Sequence, residues 1–107
     1  MESILDTTKG VCFICGKVSN THLHHCFFGN GRRKIADREG LTVYLCYDCH
    51  EGTDGVHGKN GHALDYTIKE MAQEAWELKY KETYPYKNHA DEAAREAFIR
   101  MMGRNYL

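Results

Sequence analysis

Apolar and polar positions divide the chain into two halves with different periods. Over residues 63–81, Leu64, Ile68, Met71, Ala72, Ala75 and Trp76 recur at spacings of three and four, which predicts a helix with these residues in the core and Trp76 as an anchor. Tyr84-Pro85-Tyr86 interrupts it, because the residue before a proline resists helical geometry and proline has no amide proton. A second helix is predicted from Asn88 or His89 to Gly103, with Asn88 as N-cap and Asp91 and Glu92 favourably placed in its first turn. Its apolar stripe of Ala94, Ala97, Phe98, Met101 and Met102 covers the core or a partner subunit.

The amino-terminal half shows shorter patterns. Residues 22–28 and 41–45, rich in branched and ring side chains, read as two strands. Between them the Gly29-Asn30-Gly31 turn signal leads into Arg32-Arg33-Lys34 and Arg38, and the stretch is expected to be an exposed basic loop. Residues 1–9 have no strong period and are expected to be loosely ordered. Glycines at 52, 55, 58 and 61 predict a loop up to about His62.

Composition narrows the class. A chain of 107 residues fits one domain spanning 1–107, with a core over about 10–82 and a helical extension over about 83–107. Hydrophobic residues at 42%, charged residues at 27% and a mean hydropathy of -0.60 describe a globular chain without low-complexity tracts. No apolar run approaches the length of a membrane span, and the opening MESILDTTKG lacks the marks of a secretory signal, so a cytoplasmic, reducing setting and no membrane partner are expected. A net charge of -1 excludes nucleic-acid binding over the whole surface and confines any phosphate contact to the local basic cluster.

Five cysteines change the picture most. Cys12/Cys15 and Cys46/Cys49 form two Cys-x-x-Cys pairs, and in a reducing setting such pairs are metal ligands before they are disulfides. Four thiols suit tetrahedral structural zinc, with a knuckle at VCFICGKV. About thirty residues separate the pairs, more than the roughly 15–20 of a compact ribbon, so the knuckles close around an inserted unit. Cys26 remains as a small buried hydrophobe. Structural zinc supplies roughly 10–16 kcal/mol, comparable with a small domain's whole stability, so its removal should unfold much of the chain.

The insert carries His24-His25, and the second pair runs into His50. Company and spacing mark these three as functional, while His22 and His89 read as ordinary surface or core residues. The string of His24-His25, a glycine-and-basic stretch, Gly40-Leu41-Thr42-Val43-Tyr44-Leu45-Cys46 and Cys-x-x-Cys-His ending at His50 resembles the HNH endonucleases, and in particular the small HNH proteins of phage genomes. The resemblance covers roughly residues 12–76. It implies a small α+β, zinc-stapled fold with a ββα-metal core of two short antiparallel strands and a helix, here extended by a further C-terminal helix.

By that resemblance His25 is the general base, while His24 and His50 hold a catalytic divalent cation such as Mg²⁺, Mn²⁺, Ni²⁺ or Zn²⁺. The third ligand should come from the glycine-rich segment; His57 is the choice, with Asp54, Asn60 and His62 as competitors. Because neighbouring residues of a strand face opposite sides, a kink or bulge is expected to bring His24 and His25 to one site. Arg32, Arg33, Lys34 and Arg38 would grip phosphates. The implied function is metal-dependent hydrolysis of phosphodiesters in duplex or branched DNA, in a bacterial or phage-infected cell. A homodimer or a phage or host DNA-processing protein are the partners left open, and the rival reading is a non-catalytic zinc module that binds nucleic acid or protein. Members usually carry an asparagine shortly before the Leu-Cys step, where this chain has Gly40-Leu41.

Overall fold

The computed structural model describes residues 1–107. In chain order it comprises β1 (Thr21–His25), α1 (Arg32–Glu39), β2 (Thr42–Cys46), α2 (Tyr47–His50), α3 (His62–Thr83) and, after a 3-10 turn at Lys87–His89, α4 (Ala90–Met102). This is a small α+β fold around a two-stranded antiparallel sheet, with His24 opposite Val43 and His25 opposite Thr42. The strand β2 is the inner one: Thr42, Val43, Leu45 and Cys46 are buried, whereas β1 turns Leu23 to solvent. No helix is long and apolar enough to cross a membrane.

The core lies where α3 and α4 close over β2. Ile68 and Ala72 of α3 and Phe98 and Met102 of α4 are buried against Phe27, Leu41 and Val43. The α4 stripe thus covers the chain's own core, with Phe27 5.7 Å from Phe98 and 5.1 Å from Tyr106. Filled positions such as Phe98 typically cost about 3–5 kcal/mol when cut to alanine.

Several expectations are corrected. The basic stretch is the helix α1, not a loop: RRKIADRE is free of glycine and proline, and its inner face is anchored by the fully buried Ala36. Its flanking glycines are helix punctuation. Gly40 takes the left-handed conformation (φ 72°) that ends a helix and donates its N–H to Ala36 O. The first nine residues are tied down, Ile4 N–H bonding Gly40 O at 2.8 Å and Tyr44 N–H bonding Thr7 Oγ1 at 3.0 Å. The strand β1 ends at His25, since Cys26 N–H turns to Leu41 O and Phe27 plugs the core.

The carboxy-terminal half departs in three places. Asn88 lies inside the 3-10 turn, so α4 starts from His89 without a side-chain cap. Met71 is exposed, because α3 is rotated to bury Gln73 and Glu77 instead. Those polar groups are satisfied: Gln73 Nε2 donates to Glu77 Oε2 (2.6 Å) and Asn105 Oδ1 (2.8 Å), and Arg95 Nε donates to Glu77 Oε2 (2.9 Å). Tyr106 N–H donates to Gln73 Oε1 at 2.8 Å, which seats the buried Tyr106 ring in the core. Trp76 is only partly buried; it stacks on Tyr80 and its Nε1–H bonds Glu39 Oε1 at 2.9 Å, tying α3 to the end of α1.

Candidate metal centres

Cys12, Cys15, Cys46 and Cys49 bring their sulfurs within 4.8 Å of one another. A tetrahedron of about 2.3 Å zinc–sulfur bonds has edges of about 3.8 Å, and Cys15 Sγ lies 3.8 Å from Cys46 Sγ. The set can hold a structural metal such as zinc. Burial opposes ionisation of Cys12, but the amides of Cys15, Cys46 and Ile14 outweigh it and bring the thiol down to about 6. Burial and the neighbouring thiols of Cys46 and Cys12 push Cys49 the other way. Negative charge therefore accumulates on the knuckle only up to a point, beyond which a cation is needed to hold further thiolates together. Cys26 lies apart, its thiol pushed up to about 12 by burial.

A second cluster is joined to the first through α2. His24, His50 and His57 bring ligand nitrogens within 4.8 Å of one another, with ring centroids 4.8–5.3 Å apart. His24 comes from β1. His50 closes α2, one residue past Cys49, so the cysteine frame fixes its position. His57 arrives by a tight coil in which amides bond carbonyls seven residues back: Val56 to Cys49, His57 to His50 and Asn60 to Thr53, at 2.8–3.0 Å. Each wrap thus lays residue i+7 beside residue i, and His57 falls next to His50. Glycine is obligatory where the wraps touch, because a Cβ on Gly58 would stand 1.9 Å from Gly52 O and one on Gly61 1.7 Å from Gly55 O.

Burial defines the chemistry of this cluster. His24 is 2% exposed, and its Nε2 has no hydrogen-bond partner. Burial first, then the charges of His50, His57, His25 and Lys69, lowers its pKa to about 3, so it is a neutral ligand at any ordinary pH. His50 is shifted in the same direction by burial and by His57. Three imidazoles this close, one with an orphaned buried nitrogen, could hold a metal ion.

His25 joins this cluster around a cavity of about 290 Å³, with Phe28 and Arg33 on its rim. No bulge is needed, contrary to expectation: pairing through His25↔Thr42 is regular, and the cavity wraps the end of the strand. On its outer side His25 Nε2 lies 3.2 Å from Asp37 Oδ1, in a polar cleft also lined by Asn30, Arg33 and Lys34.

The other expected residues separate. Asp54 and Asn60 bond each other at 3.2 Å, and His62 is exposed at the start of α3; none joins the imidazoles. Of the four basic residues only Arg33 and Lys34 face the site, since Arg32 Nε donates to Met102 O at 3.2 Å and Arg38 pairs with Glu39 at 3.0 Å. Three contributors were not assigned to the site from the sequence, where His22 read as an ordinary surface or core residue. His22 Nδ1 is 2.9 Å from His50 Nδ1, a contact that its position two residues before His24 on one strand face could have signalled. Asp37 was hidden in the supposed loop. Lys69, held by Asp65 at 2.7 Å, lies 4.6 Å over the Phe28 ring and carried no local signal. No family model, curated protein or solved structure matches this chain.

Proposed function

We propose that the protein is a metal-dependent nuclease of the HNH type that hydrolyses phosphodiester bonds in DNA. The observation that carries the reading is the convergence of His24, His50 and His57 beside His25 in one cavity, next to a separate four-cysteine frame. The β1–β2–α3 order with His50 immediately after the last cysteine agrees with the resemblance. The missing asparagine at Gly40-Leu41 is the departure from it.

His24, His50 and His57 would hold the divalent cation, which when bound supplies stabilisation of charge on the phosphorane and the leaving 3′ oxygen. His25 takes a proton from water as the water oxygen forms its bond to phosphorus and the bond from phosphorus to the 3′ oxygen breaks. Arg33 reaches the same cavity and meets a non-bridging phosphate oxygen with its guanidinium, while Lys34 in the adjoining cleft takes a neighbouring phosphate. Base help of this kind is worth roughly 10²–10⁴-fold.

Supercoiled plasmid incubated with the purified chain and Mg²⁺, Mn²⁺, Ni²⁺ or Zn²⁺ tests the proposal. Nicking that His25→Ala reduces at least 100-fold, with unchanged zinc on the cysteines, is expected. No nicking with any of these ions, or equal nicking by the variant, returns the protein to the non-catalytic zinc module.

A further inference from the structure

The helix α1 places Arg33 and Asp37 four residues apart, on one face, against the end of β1. Arg33 lines the cavity that holds the imidazole cluster, whereas Asp37 does not and lines the outer cleft and a groove beside Leu23 and Thr42, so Asp37 approaches His25 from outside that cavity. A carboxylate only accepts hydrogen bonds, and a neutral imidazole has one N–H and one bare nitrogen. The 3.2 Å contact between His25 Nε2 and Asp37 Oδ1 therefore requires a proton on Nε2, and in the neutral ring that leaves Nδ1 bare.

We propose that Asp37 is the positioning residue for His25: its carboxylate holds the Nε2 proton and the ring angle, and leaves Nδ1 as the nitrogen that receives the proton from water. The base role rests on the nuclease reading; the tautomer does not. Asp37 makes no other hydrogen bond and its carboxylate is 65% exposed, so it contributes little to the fold and is available to a single partner. Because the neutral tautomer without a partner divides between two nitrogens, loss of the carboxylate reduces the fraction of His25 that can act, without removing the imidazole.

Long-range proton–nitrogen NMR of the imidazoles in the zinc-loaded full chain reads the tautomer directly, and plasmid nicking reads its use. Wild type should show His25 protonated at Nε2, and Asp37→Ala should show a mixed tautomer. The same variant should keep its zinc content, lose about 10–100-fold in kcat and show no rise in KM, and Asp37→Glu should recover part of the loss. A wild-type His25 protonated on Nδ1, or an Asp37→Ala protein with wild-type tautomer or wild-type kcat, overturns the proposal. An Nε2 proton that depends on Asp37 in a protein that nicks nothing supports the positioning and sinks the nuclease reading alone.

Discussion

The two clusters flank the same four-residue helix and are built on opposite principles. At the cysteines, backbone amides draw one thiol, Cys12, down to about 6 while Cys15 and Cys49 are pushed up, so one thiolate forms readily and further ones need a cation beside them. At the histidines, burial drives His24 down to about 3, so the protein manufactures neutral donors with one nitrogen left bare. The first arrangement gains its stability from being closed. The second lies beside a 290 Å³ cavity that His25 also lines, so it is open where the first is closed. α2 joins them, because Cys49 and His50 are consecutive residues of it.

The largest expected effects come from removing, in turn, the ion proposed for each cluster. Stripping the cysteine site with a strong chelator, or replacing Cys46 by serine, should remove stabilisation on the order of 10 kcal/mol and abolish the cooperative thermal transition seen by circular dichroism. His57→Ala should leave that transition within a few degrees of wild type while lowering the bound metal by one ion and plasmid nicking by at least about 100-fold. Comparable unfolding by both variants would mean that the histidines are part of the frame.

Acid separates the clusters through His24. In the metal-free histidine site its folded pKa of about 3 lies below the ordinary 6.5, so between those values the unfolded chain binds a proton that the folded chain refuses. Stability is thus full above pH 6.5 and falls as the pH drops toward 3, by up to about 1.4 kcal/mol per pH unit. Urea unfolding of zinc-frame protein at pH 7.0 and 5.0, with His24→Asn as reference, should show a steeper loss of stability in the wild type than in the variant, which keeps the contribution of His50. An equal slope in both would place the acid sensitivity elsewhere.

How much of this could be read in advance follows the same division. The cysteine frame was legible because each half is a local knuckle whose spacing states its chemistry, and the strands and long helices were legible because their periods run for several turns. The helix α1 was not, since eight residues between two glycines give too few turns for a period, and its basic side chains read equally well as a solvated loop. With it Asp37 was lost and Arg32 and Arg38 were misassigned, one being a tether to Met102 and the other a partner of Glu39. His57 was reachable from composition, but its reason was not: the seven-residue wrap that lays it beside His50 is a tertiary fact, visible only in hydrogen bonds such as His57 N–H to His50 O. Met71 failed because a buried pair, Gln73 and Glu77, turned the helix against its apolar pattern.

The smallest effect expected sharpens the comparison at its open end. If Arg33 and Lys34 face phosphates and Arg32 and Arg38 serve the fold, the four cations should differ in one measurable respect, the dependence of DNA binding on salt. Each phosphate contact releases condensed counterions and contributes about 0.9 to the slope of log affinity against log salt. Lys34→Ala should lower that slope by about one and weaken binding evenly across sequences, because a phosphate contact carries no base information. Arg38→Ala should leave the slope unchanged, since its guanidinium is already engaged by Glu39 and lies outside the cleft. Fluorescence anisotropy with a short duplex between 50 and 200 mM salt, in calcium to suppress cutting, resolves a change of this size. A common loss of slope in both variants would return the basic stretch to a diffuse patch.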